Sequence, residues 1–217
     1  MYRTVIFDLD GTILNTIADL ADAGNRICRK RGWPEHAVEE YTAMVGHGMK
    51  NLVQQLSPED CRSSEVVEAT LVEFMEDYGS HCCEKTAPYE GVPEFLQELK
   101  VRGVQLAVYS NKADVLTCRI IDHYFPNVFA LVRGKRDGIP VKPDPAGIAG
   151  IMEELKAVPE KSLFVGDSSV DVKTGHAGGM KVCGVPWGFR SRESLADAGA
   201  DMIADTVEQL RQMLLEG

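Results

Sequence analysis

No apolar run among the 217 residues approaches the roughly 20 needed to cross a bilayer, so no membrane span is expected. The opening stretch, MYRTVIFDLDG, meets an acid at Asp8 and lacks the long apolar core of a secretion signal, which points to a soluble, cytoplasmic protein. Positive charge is scarce too: 23 Lys and Arg stand against 33 Asp and Glu, a formal net charge of −10. There is no basic stripe of the kind that tracks nucleic acid. The densest basic cluster, RICRKR at 26–31, lies in a helical pattern and reads as a solvated face. None of the six cysteines (Cys28, Cys61, Cys82, Cys83, Cys118, Cys183) makes a pair at zinc-finger spacing, and the adjacent Cys82 and Cys83 are poorly placed to bridge. Free thiols in a reducing compartment account for them. An anionic ligand would meet an adverse global field, so local positive charge, a metal ion included, would have to offset it.

What the sequence does contain is an alternation of short apolar runs and amphipathic stretches. The runs at 4–9, 103–110, 128–134, 161–167 and 180–185 read as buried strands, with 200–205 as a sixth. Helical spacing occupies 92–102, 113–124, 144–156 and 168–178. Strand and helix in turn predict an α/β fold, a parallel sheet covered on both faces by helices in three layers. One region breaks the rhythm. From 15 to 85 no strand is evident, and helices are expected at 16–31, 35–45, 48–56 and 64–82. About 70 helical residues are far more than a crossover requires, so they form an inserted four-helix domain. The expected organisation is a core of 1–14 and 86–217 with an insert of 15–85, hinged near 13–16 and 83–90, where Pro88, Gly91 and Pro93 punctuate the return.

The polar residues that follow each apolar run carry the chemistry. The first run ends in Asp8, Asp10 and Thr12; the second in Ser110, Asn111 and Lys112; Lys142 follows the third; Asp167 and Asp171 follow the fourth. In open parallel sheets ligands bind outside the carboxyl ends of the strands, so one edge receives four carboxylates, two hydroxyls and a lysine. Each feature alone has an ordinary explanation: Asp-Gly makes turns, Ser110 caps a helix, a loop lysine faces water. Together they fare worse under those explanations, because clustered acids repel one another unless a cation sits among them. Phosphoryl transfer through a carboxylate uses this set: an aspartate nucleophile, a hard divalent cation on oxygen ligands, and lysine and hydroxyl donors on the phosphoryl oxygens.

DLDGT, YSNK, VKPDP and GDSSVD occur in the order and spacing that resemble the haloacid dehalogenase-like hydrolases, and the resemblance spans essentially the whole chain. The insert resembles the helical cap of that family's first cap class. VGHGMKNLV at 45–53 and APYEGVPEFL at the return hinge are similar to phosphoglycolate phosphatases within it. The resemblance implies a Rossmann-like core and a role for each matching residue. Asp8 would be the nucleophile and Asp10 the acid and then the base. Lys142 would stabilise charge. Thr12, Ser110 and Asn111 would line the phosphate or substrate site. Mg²⁺ would be held by Asp8, the Asp10 backbone carbonyl and Asp167, with Asp171 either an outer ligand or a brace for Lys142. Gly46, His47 and Lys50 are cap-loop candidates for contacting a substrate carboxylate. His81 and His176 read as structural. The paired aspartates favour phosphate-ester chemistry over dehalogenation. Many relatives carry an acid where this chain has Asn15, which bears on the substrate rather than the reaction. The expected function is Mg²⁺-dependent hydrolysis of a small-molecule phosphomonoester, 2-phosphoglycolate first, by a monomer or homodimer. A sugar phosphomutase, or a nucleotide or pyrophosphate phosphatase of the same fold, stands as the alternative. A binding protein that merely kept the fold would show an eroded catalytic group, and none is eroded.

Overall fold

The structure, a computed structural model, describes residues 2–215; the expected core range also takes in 1, 216 and 217, which lie outside the described residues. Its backbone divides into two compact units, one of residues 1–15 and 88–217, the other of residues 16–87.

The first unit begins with β1 (Thr4–Phe7), four β-branched or aromatic residues with every side chain buried, as a strand covered on both faces requires. The chain leaves through β2 (Leu14–Asn15) and returns through β3 (Ala87–Pro88), which pair in a small two-stranded sheet. The main strands that follow are β4 (Gln105–Ala113), β5 (Leu131–Lys135), β6 (Ser162–Gly166), β7 (Lys181–Gly184) and β8 (Met202–Ile203). With β1 they form one parallel sheet in the order β5-β4-β1-β6-β7-β8. Phe7 lies level with both Val108 and Val165, so β1 and β6 finish side by side while β4 runs on beyond them. The winding runs outward from β1 to β5, then crosses back to β6 and runs the other way. That reversal beside β1 is where open sheets of this type leave a crevice for ligands.

Ten helices complete the described chain. The insert holds α1 (Ile17–Arg31), α2 (Val38–Met44), α3 (Met49–Leu56) and α4 (Ser64–His81). The core unit holds α5 (Val92–Val101), α6 (Asp114–Tyr124), α7 (Pro145–Leu155), α8 (Ser169–Ala177), α9 (Arg192–Asp197) and α10 (Val207–Leu215). The period-2 alternation of the strands assigns the two faces. Ile6, Ala107, Phe164 and Val182 pack with Ile148, Ile151 and Met152 of α7 and Val172 of α8. Phe7 and Val165 point the other way, toward Val92, Phe95, Val207 and Leu210 of α5 and α10, where the Phe7 and Phe95 rings meet edge to face at 6.4 Å. The result is the three-layer α/β arrangement.

Several elements differ from the sequence reading. β4 does not stop at Ser110 but continues through Asn111 and Lys112 to Ala113, and its register with β5 slips after Tyr109. Polar residues sit within a strand there because their side chains find buried partners. β5 starts at Leu131 rather than 128. Helices α9 and α10 were not foreseen; α10 hides its period because only Leu210, Leu214 and Leu215 among its nine residues are buried.

In the insert unit, α1 ends where Gly32 turns left-handed and donates its N–H to Arg29, while Trp33 N–H reaches Cys28. Its core gathers Leu20, Ile27, Tyr41, Leu52, Leu56, Phe74 and Tyr78. Asp19 is buried at 2% exposure in the first turn of α1, and its carboxylate accepts the Lys85 N–H (2.9 Å) and the Thr86 N–H (2.8 Å). The first helix of the unit is thereby tied to its last residues. Truncating the acid orphans backbone donors, at a cost of about 2–3 kcal/mol. Asp19→Ala is therefore expected to lower Tm by about 4–12 °C, with Asp19→Asn intermediate because its amide oxygen still accepts. Equal melting of Asp19→Ala and wild type in a thermal denaturation series would contradict this.

Candidate active site

The carboxyl ends of β1, β4 and β6 bring the sequence-predicted core residues together. Asp8, the first residue past β1, is 8% exposed, and its backbone N–H still bonds to Val165 of β6. Lys142 enters from the segment before α7 and is 2% exposed. Its Nζ lies 2.9 Å from Asp8 Oδ1 and 2.7 Å from Asp171 Oδ1, and donates to the Tyr109 carbonyl at 3.0 Å. The buried lysine thus links two carboxylates.

Asn111 fixes that lysine through the backbone. Its amide oxygen accepts the Lys142 N–H (2.7 Å) and its NH₂ donates to the Lys142 carbonyl (3.1 Å). Ser110 is buried, and its hydroxyl accepts the Lys112 N–H at 3.2 Å. Thr12 is 1% exposed, and its hydroxyl has no hydrogen-bond partner among the described residues. Thr12 lines an apolar space with Phe7, Phe95 and Trp187, so a buried hydroxyl there calls for a partner that the described residues do not supply. Asp171, in the first turn of α8, caps its own helix by accepting from the Ser168 N–H (3.1 Å) and hydroxyl (2.6 Å) through Oδ2, while Oδ1 takes Lys142.

Asp8, Asp167 and Asp171 each offer an oxygen within 4.8 Å of the others. The electrostatics show what such a cluster costs without a cation. Burial, then the charge of Asp171, raise the Asp8 carboxyl from 3.8 to about 7, with Lys142 opposing. Burial, then Asp171 and Asp8, raise Asp167 well above its ordinary value. Burial works against the Lys142 ammonium, but Asp171 and Asp8 outweigh it and hold its pKa above the usual lysine value. Three buried hard oxygen donors with more negative charge than one lysine balances suit a divalent cation of the magnesium or calcium type.

The profile of the haloacid dehalogenase-like hydrolase family matches residues 5–185. This chain belongs to that family. Curated relatives include a Pseudomonas putida protein named phosphoglycolate phosphatase, 32% identical over 215 residues, which cover 96% of this chain and 78% of the relative. An Aquifex aeolicus protein of the same name is 29% identical over 220 residues, covering 99% of each chain. A crystal structure from Lactobacillus delbrueckii subsp. bulgaricus, provisionally called a phosphoglycolate phosphatase, superposes with a TM-score of 0.93 at 31% identity, covering 100% of this chain and 99% of that one.

In this haloacid dehalogenase-like hydrolase, several groups at the site have no role assigned from the sequence. Lys112 has a fully buried side chain and holds Asp10 Oδ1 at 2.5 Å. In sequence it is one more lysine after a strand; nothing local separates a buried one from a solvated one. Tyr89 stands where burial and the charges of Asp167 and Asp10 raise its hydroxyl pKa. The turn after β7 also reaches the site, with the Phe189 N–H on Asp167 Oδ2 at 2.7 Å. The rule that singled out the other strand ends would have flagged this one. The cap-loop candidates belong to the insert unit. Gly46 and Gly48 adopt positive φ (113° and 88°), which opens the turn into α3; His47 is exposed, and Lys50 pairs with Glu68 in an exposed ion pair.

Proposed function

We propose that this protein is a Mg²⁺-dependent phosphomonoester hydrolase that works through an aspartyl-phosphate on Asp8, with 2-phosphoglycolate as its substrate. The observation that carries the reading is the buried chain from Asp8 through Lys142 to Asp171, set beside Asp10 at the strand ends. The substrate rests on curated relatives named phosphoglycolate phosphatase. A carboxylate oxygen of Asp8 attacks phosphorus, and the bond from phosphorus to the ester oxygen breaks. Asp10 delivers its proton to the departing oxygen. Asp10, now a carboxylate, takes a proton from a water that attacks the aspartyl-phosphate, which frees inorganic phosphate and restores Asp8.

Lys112 orients Asp10 for both proton transfers. Lys142 keeps positive charge on the Asp8 side throughout. The unused Thr12 hydroxyl and Ser110 hold phosphoryl oxygens, and Asn111 acts through Lys142. The Asp8 and Asp167 carboxylates and the Asp10 backbone carbonyl would hold Mg²⁺; with both oxygens of Asp171 engaged, that residue serves as the brace for Lys142. When bound, the ion supplies countercharge for the phosphoryl oxygens. Residues 15–85 act as the cap, with Gly46, His47 and Lys50 selecting the substrate's carboxylate.

The test is phosphate release with Mg²⁺ over 2-phosphoglycolate, hexose phosphates, nucleoside monophosphates and pyrophosphate. A lead of about 100-fold or more in kcat/KM, roughly 3 kcal/mol of discrimination, is expected for 2-phosphoglycolate. A flat profile would remove that substrate and leave the reaction; no release from any ester would remove both.

A further inference from the structure

The turn that follows β7 has no part in the reaction just described, yet it is built into the site. The Trp187 indole N–H donates to the Thr12 carbonyl at 3.0 Å, and the Phe189 N–H donates to Asp167 Oδ2 at 2.7 Å. Between them, Gly188 lies so close to the nucleophile loop that a Cβ there would stand 2.2 Å from the Gly11 carbonyl oxygen and 2.6 Å from Asp167 Oδ2. The reverse also holds. Gly11, at φ +81°, would place a Cβ 2.3 Å from Asp167 Oδ2 and 2.9 Å from the Phe189 ring. Three segments far apart in sequence therefore meet with no room for a methyl group, and the carboxylate of Asp167 sits where they meet. A turn that only filled space would have no need to aim an N–H at a member of the acidic cluster.

We propose that the Trp187–Phe189 turn is the positioning element for the metal ion: it clamps the Asp167 carboxylate against the Asp8–Thr12 loop, so the oxygen ligands are arranged before the ion arrives. The proposal rests on the metal reading given above. Hydrogen-bond partners behind a ligand typically change metal affinity by about 10–100-fold, and the turn acts in that way.

The experiment is calorimetric titration of Mg²⁺ into substrate-free wild type, Gly188→Ala and Trp187→Phe, with circular dichroism to verify folding. Gly188→Ala is expected to weaken Mg²⁺ binding by about 10-fold or more. Trp187→Phe keeps an aromatic side chain but loses the indole N–H donor to Thr12 and part of the ring volume; it is expected to weaken binding in the same direction and by less. A turn with a purely structural role would lower Tm and leave Mg²⁺ affinity unmoved. Affinities within about twofold of wild type in the folded variants would overturn the proposal, and Trp187→Phe alone decides if Gly188→Ala does not fold. If wild type binds Mg²⁺ but releases phosphate from no ester, the hydrolase reading fails and the positioning role stands. If wild type takes up no Mg²⁺, the positioning role falls together with the metal.

Discussion

Asp8→Asn is expected to leave less than about 1% of wild-type phosphate release, a loss of at least about 2.7 kcal/mol of transition-state stabilisation. The amide is nearly isosteric but has no anionic oxygen to attack phosphorus. Residual turnover above that level would argue against Asp8 as the nucleophile. The same substitution is expected to raise metal-free stability at neutral pH. The folded Asp8 carboxyl titrates near 7, against 3.8 for an ordinary one, because burial and Asp171 disfavour its charge. Between those values the native state holds a proton that the unfolded chain has released. Stability from this group is thus full below about pH 4 and lost as pH rises toward 7. Asn carries no such proton. Metal-free Asp8→Asn should therefore melt above wild type at pH 7–8 and converge with it near pH 4. Added Mg²⁺ should favour wild type, which keeps the ligand. A metal-free wild type that melts above the variant at pH 8 would contradict the account.

Lys142→Met is expected to be the most damaging change to the fold. The ammonium is buried among Asp8, Asp171 and the Tyr109 carbonyl, with the Tyr109 and Phe164 rings each 5.6 Å away. Methionine fills much of the volume but takes from Asp8 and Asp171 the buried counter-charge they share. Removing one partner of a buried ion pair costs about 3–5 kcal/mol. For a chain of this size that is a fall of about 6–20 °C in Tm. Mg²⁺ should recover part of the stability by supplying charge, while turnover stays lost. A Tm within about 2 °C of wild type without metal would show that the acids are relieved in some other way.

Much of this architecture is written locally in the chain. The runs that became β1, β6 and β7 are short and largely apolar, and their length identifies them. Asp8, Asp167 and Lys142 could be singled out because each follows such a run. Lys112 could be placed at a strand end but given no role, since its burial depends on β4 continuing past Ser110 into polar residues, which only long-range partners make tolerable. The engagement of Asn111 with the Lys142 backbone is equally invisible, because it joins positions 31 residues apart. α10 escaped notice because half its surface is polar and its burial comes from packing against α5. The cap-loop residues were legible as a glycine-rich turn and no further; their chemistry depends on a ligand that the turn itself does not specify.

The place of β1 in the sheet also governs how the protein is made. Its partner strands β4 and β6 begin at Gln105 and Ser162, so the first apolar strand leaves the ribosome with both edges bare. At about 5–20 residues per second, its second edge stays open for on the order of ten to thirty seconds. The helical insert, whose contacts are local, can fold meanwhile. Synthesis can thus complete the insert unit before the sheet of the other unit is closed. A nascent chain halted before Ser162 would carry Asp8 and Asp10 beside an open edge, without the strand that brings Asp167 to them.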